Sequence, residues 1–379
     1  MTNEAPGVVR INSIDVLRGV VMMLMAIDHV RVYSGIPAGG PTLGIFFTRW
    51  ITHFCAPAFV FFAGTSAFLL GRKLNDKRAL ARYLVTRGFL LVVLELTLIR
   101  FSWTFNFNYR NWILAGVIWM LGWCLVLLAA LIWLPTWAIA TFGLLMIVFQ
   151  QVFGLVPRLL PGSVAWIWEF IYTAGLETPQ PINILYVLVP WIGVMAVGYA
   201  FGAIMIRNPE DRRRLCLRIG LAATALFLVG GVVTTLFGGG SGNAPPFVIR
   251  LLNQQKYPPS QLFLLMTLGP TIALLPLAEG ARGWLGRVLT TFGRVPLFYY
   301  LLHIPLIHIL SLVVWYLREG SINSEYFATA PYVSVPPEQR WGLWLLYLVF
   351  FVVIALLYFP CRRFADLKAR SQARWLRYI

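Results

Sequence analysis

The sequence predicts an all-α, polytopic membrane bundle of about ten transmembrane helices, with both termini cytoplasmic and residues 1–379 forming one integral-membrane domain. Three observations carry this prediction. The chain is 59% hydrophobic and only 12% charged, with a mean hydropathy of +0.75, whereas a soluble domain is roughly one-quarter charged. Apolar runs long enough to cross a bilayer recur from end to end. The Lys and Arg residues gather on alternate connections between those runs.

The runs fall at 13–34, 45–70, 83–103, 113–134, 136–156, 182–206, 217–237, 260–279, 292–316 and 341–360. Breakers such as Gly39-Gly40-Pro41, the glycine-serine stretch 238–242 and Pro336-Pro337 divide them. The first run follows Arg10 and carries no small-residue cleavage site, so it reads as a retained span rather than a signal peptide. In the sixth, Pro190-Trp191 with Gly193, Gly198 and Gly202 predicts close helix packing. The eighth opens on Lys256-Tyr257-Pro258-Pro259-Ser260, where two prolines fix a rigid entry. No internal repeat is visible, which disfavours an inverted-repeat transporter. The four cysteines are scattered and read as small apolar residues, and no metal is expected.

Orientation follows from charge. With the N-terminus inside, the inner segments hold Arg10, the cluster from Arg72 to Arg87, the cluster from Arg207 to Arg218, then Arg282, Arg287 and Arg294, and the basic tail from Arg362 onward. This bias accounts for the net charge of +17 and removes the need for a nucleic-acid partner. The lipid bilayer is the expected partner, and the sequence admits a homodimer.

Charged and titratable residues inside spans are costly and usually face the bundle interior. Arg18 and His29 lie eleven residues apart in the first run, which is three helical turns plus about 20°. They therefore share a face, about 16 Å apart along the axis. Asp28 projects about 100° away from His29. His53, Glu95, His303 and His308 all fall toward the outer half of their spans, and scattered structural histidines would not share a depth. Structural readings exist for each: Asp15–Arg18 as an ion pair on one helix face, Glu95 as glue to Arg100 or His53, His53 as an interfacial residue, and Lys256 as a snorkelling cation. Lys256 also suits an anion or carbonyl oxygen near an outer site. Asn106, Asn108 and Tyr109 sit in a short outer loop that suits a polar substrate.

Several segments carry a resemblance. Arg10-x-x-Ser13-Ile-Asp15-x-x-Arg18-Gly19, the run from Pro57 to Gly64-Thr-Ser, Tyr186-x-x-x-Pro190-Trp191-Ile-Gly193 with Gly198-Tyr, Lys256-Tyr-Pro-Pro-Ser, and Gly293-Arg-Val-Pro-Leu-Phe-Tyr-Tyr-x-x-His303 resemble bacterial relatives of the heparan-α-glucosaminide N-acetyltransferase catalytic domain. That family is grouped with transmembrane acyltransferases, whose first span carries a basic residue, ten intervening residues and a histidine. The resemblance implies a bacterial plasma (inner) membrane enzyme moving an acyl group, acetyl by preference, from cytosolic acyl-CoA to an extracytoplasmic sugar or amine. In the lysosomal member the catalytic histidine lies in the luminal stretch after the first conserved helix. The corresponding stretch 35–44 has no histidine here, so the role passes to His29 or another intramembrane histidine.

On this reading Arg18, Arg82, Arg87 and Arg294 hold CoA phosphates. His29 acts as base or nucleophile, with Asp28, Glu95 or His303 orienting its ring. His53, Lys256 and Tyr257 contact the acceptor. Competing readings are a proton-coupled transporter or flippase of a small polar or lipid-linked solute, and a haem carrier, for which the helix spacing offers no clear facing histidine pair.

Overall fold

The computed structural model describes residues 11–39, 42–173, 182–238, 245–323, 335–371 and 373–378. Arg10, Gly40, Pro41 and most of the 238–242 linker lie outside the described residues. The first apolar run forms α1 (Asn12–Tyr33). The second begins as α2 (Leu43–Trp50), tightens through a 3₁₀ turn at Ile51–Phe54 and continues as α3 (Cys55–Leu74). The third is α4 (Lys77–Leu94), a π-helical turn at Glu95–Ile99 and α5 (Arg100–Thr104). Strand β1 (Ile113–Ala115) leads into α6 (Val117–Leu131), then α7 (Thr136–Val148) and the short α8 (Gly162–Ala165). Strand β2 (Ile182–Ile184) precedes α9 (Trp191–Met205) and α10 (Pro209–Phe237). The remainder is α11 (Phe247–Leu252), α12 (Gln261–Ala273), α13 (Leu275–Glu279), α14 (Gly283–Arg294), α15 (Pro296–Glu319) and α16 (Leu343–Arg370).

Among the described residues, five helical segments are long and apolar enough to cross a membrane: Leu43–Leu74, Pro209–Phe237, Gln261–Glu279, Pro296–Glu319 and Leu343–Arg370. A sixth, Thr136–Val148 with Gln150–Leu159, is bent by 70°. The predicted runs thus map onto helices, but several differ in detail. The starts of runs 113–134 and 182–206 are not helical; Ile113–Ala115 pairs in parallel with Ile182–Ile184, and Val117–Leu131 and Trp191–Met205 are correspondingly short. The β-branched isoleucines of these segments suit a strand, and Gly116 supplies the extended residue that opens α6. The run 292–316 is interrupted at Val295, because Pro296 cannot continue α14 and instead starts α15.

Pairwise glycine contacts hold the bundle together. The expected packing through Gly193, Gly198 and Gly202 is present. A Cβ on Gly198 would meet the Phe61 carbonyl of α3 at 2.1 Å, and one on Gly64 would meet the Met195 carbonyl of α9 at 2.0 Å. Gly88 and Gly122 join α4 to α6, Gly143 and Gly193 join α7 to α9, Gly220 and Gly269 join α10 to α12, and Gly19 and Gly293 join α1 to α14. Among the described residues these five pairs are also the most extensively packed. In lipid, where apolar surface gives no net drive to associate, such backbone approach supplies the packing. The cysteines Cys55, Cys124, Cys216 and Cys361 are free and buried, as expected of small apolar residues.

Candidate active site

Because Arg18 and His29 recur on one face of α1, both line the same interior cavity of about 360 Å³. Its walls come from α1, α3, α4, α6 and the start of α15, with Met22, Met25, Phe59, Leu84 and Leu121 among the apolar lining. Arg18, Ser66, Tyr83 and Arg87 stand toward the N-terminal end of α1, and Asp28, His29, Tyr186, Lys256 and Tyr300 toward its C-terminal end. Arg18 donates to the Phe62 carbonyl at 3.2 Å and to the Ser66 hydroxyl, and approaches Asp15 at 3.7 Å. The Asp15 ion pair therefore exists, and it leaves Arg18 in the cavity wall. Arg87 donates to the Tyr83 hydroxyl at 2.7 Å. Arg82 and Arg294 are exposed and do not line the cavity.

At the other end His29 meets His303. The Nδ1 of His29 lies 2.6 Å from the Nε2 of His303, and the rings stack at 4.8 Å. The His303 Nδ1 lies 2.7 Å from the Tyr300 carbonyl and 3.2 Å from that of Tyr299. Carbonyl oxygens only accept, so with neutral rings Nδ1 of His303 carries its hydrogen and Nε2 is an acceptor. His29 must then donate from Nδ1. Its Nε2 keeps a lone pair, with no hydrogen-bond partner among the described residues. Trp103 and Tyr300 hold the ring edge-on, at 5.0 and 6.2 Å. A facing histidine pair, which helix spacing did not reveal, is thus formed between α1 and α15, and the direct contact makes the two rings one hydrogen-bonded unit.

The other predicted residues divide. Asp28 lines the cavity but pairs with Arg31 at 3.0 Å and Arg49 at 3.6 Å rather than with His29. Glu95 does not line the cavity and pairs with neither Arg100 nor His53. Its Oε2 accepts the backbone N–H groups of Ile118 and Trp119 at 2.9 and 3.0 Å, capping α6. His308 stacks on Phe105 at 3.7 Å and donates to the Ser102 carbonyl, away from His303. Arg100 occupies the loop expected to suit a polar substrate: its guanidinium donates to Asn106 Oδ1 and stacks on Tyr109 at 4.5 Å.

His53, Lys256 and Tyr257 line a second cavity of about 390 Å³ with Arg49, Trp50, Gln254 and Gln255. Sequence reasoning passed over Tyr300, Trp103 and the Arg31–Asp28–Arg49 cluster. Tyr300 had a signal, since it precedes His303 by three residues and shares its helix face; Trp103 had none.

Residues 10–234 match the heparan-alpha-glucosaminide N-acetyltransferase catalytic domain. The chain belongs to that family. No curated protein matches it. Heparan-alpha-glucosaminide N-acetyltransferase relatives are membrane acetyltransferases, so membership makes this chain an integral-membrane transferase. The family match covers Arg18, His29, His53 and Glu95 but ends before Lys256 and His303, whose place in the site rests on geometry.

Proposed function

We propose that this protein transfers an acyl group, acetyl by preference, from cytosolic acyl-CoA to an extracytoplasmic sugar or amine, across the plasma (inner) membrane of a bacterium with both termini cytoplasmic. The observation that carries the reading is the interior cavity joining Arg18 and Arg87 to His29. On this reading the guanidinium end faces the cytosol and receives the phosphates of CoA, the apolar middle accommodates the pantetheine arm, and the thioester reaches the histidine end. The second cavity, with Arg49, His53 and Tyr257, receives the acceptor.

The division of roles follows from the chemistry. CoA is polyanionic and does not leave the cytosol, whereas the acceptor does not enter it, so the reacting atoms must meet inside the protein. His29 offers an unshared lone pair at Nε2. It serves equally as the base that takes the acceptor proton and as the nucleophile of a two-step route. His303 is the positioning residue that fixes this tautomer, the role a carboxylate plays in a Ser-His-Asp triad. Asp28 holds Arg31 and Arg49 in place at the same end.

The test is thiol release from acetyl-CoA by purified protein. His29→Ala should lower the rate by at least about 10²–10⁴-fold, with unchanged detergent-extracted yield and melting temperature. Wild-type activity in that variant would remove His29 from the chemistry.

A further inference from the structure

Among the described residues, Lys256 is the one that lines both cavities. It is 7% exposed, and its Nζ makes no hydrogen bond or close ion pair among the described residues; it stands over the face of Tyr257, 5.2 Å from the ring centroid. The carboxylate at this end of the cavity, Asp28, is engaged by Arg31 and Arg49. The lysine backbone is fixed: Lys256 bridges to Pro259 and the Ser260 N–H returns to the Gln255 carbonyl at 2.9 Å, while Ser260 itself caps α12. Asp28 lies within Coulombic reach of Lys256 but forms its close ion pairs with the two arginines, and a buried ammonium without a close ion-pair partner is costly. Carried on a fixed backbone where two compartments join, it is suited to a negative charge that exists only during reaction.

We propose that Lys256 is a catalytic residue whose ammonium stabilises the oxyanion formed on the thioester carbonyl during acyl transfer. The inference rests on the acyltransferase reading above. In the step it serves, the acceptor heteroatom forms a bond to the thioester carbonyl carbon as its proton passes to Nε2 of His29. The carbonyl π pair moves to oxygen, where Lys256 donates a hydrogen bond. The oxyanion then collapses, the C–S bond breaks with its electron pair on sulfur, and the His29 proton passes to that thiolate. Acyl-CoA and acceptor–H become acyl-acceptor and CoA–SH. The alternative employment, anchoring an acidic acceptor, falls more naturally to Arg49, which lines the second cavity and not the interior one.

Full-length protein in detergent, given acetyl-CoA with glucosamine or with water as acceptor, tests this. Lys256→Met should lower kcat by about 10²–10³-fold, the loss usual for one oxyanion donor. Its acetyl-CoA affinity by calorimetry should stay within about threefold, because the donor phosphates bind at the other end. Lys256→Arg, which keeps the charge, should recover part of kcat, and Lys256→Gln serves if the methionine variant does not fold. A Lys256→Met variant with wild-type kcat and a raised KM for glucosamine would make Lys256 an acceptor anchor and overturn the proposal, as would unchanged kinetics. Wild-type protein that binds acetyl-CoA but releases no thiol with either acceptor would overturn the transferase reading itself.

Discussion

His303 differs from the acidic partner of a catalytic imidazole in carrying no negative charge. It fixes the His29 tautomer through an N–H···N bond of 2.6 Å and is itself fixed by the backbone carbonyls of Tyr299 and Tyr300. A neutral partner of this kind orients the ring while offering less support to an imidazolium than a carboxylate would. His303→Ala leaves the Nδ1–H of His29 without its acceptor, so kcat should fall by about 10²–10⁴-fold. His303→Gln restores an acceptor oxygen and should recover part of the loss. Equal activity in the two variants would mean that His303 only fills space. The spacing of Arg18 and His29 made one wall of the cavity legible from the sequence alone, because both lie on a single helix. The His29–His303 contact was not legible. The partners are 274 residues apart, and helix periodicity reports which face a residue occupies but not which helix that face meets.

At the scale of elements, Glu95 is the instructive case. Its depth within an apolar run marks it as functional, and its carboxylate instead starts a helix. A Cβ on Gly116 would come within 2.7 Å of Oε1, so the residue opening α6 must be small for the carboxylate to sit there. The partners are main-chain N–H groups, which carry no side-chain signature, and this is why sequence reasoning sought a charged mate. Glu95→Ala should cost about 1–3 kcal/mol of stability through the lost cap and its charge-assisted bonds. Activity per folded molecule should remain within a few-fold, as read from melting temperature and kcat on the same preparations. A collapse of kcat at unchanged stability would return Glu95 to the catalytic group. The strands β1 and β2 were hidden for a related reason: three mostly apolar residues bordering a longer apolar run look alike whether they pair with another strand or extend a helix.

For the whole molecule, the separation of arginine end from histidine end predicts separable defects. Arg18→Ala removes a charge-assisted contact worth about 1.5–3 kcal/mol, so acetyl-CoA binding should weaken by about tenfold or more, while His29→Ala leaves that affinity near wild type. Titration calorimetry on both variants checks this. If Arg294→Ala, at a position exposed outside the cavity, weakened binding as much as Arg18→Ala, the phosphates would lie outside the cavity.

The reciprocal glycines have a mechanical consequence. The interior cavity lies among α1, α3, α4 and α6, and these helices belong to three glycine-joined pairs: α1 with α14, α3 with α9, and α4 with α6. Backbone contact makes each pair a stiff strut, whereas the struts meet one another around the void mainly through side chains, which slide at lower cost than interlocked main chains. Admitting a long donor then calls for shear between struts, which widens the passage while every glycine seam stays closed.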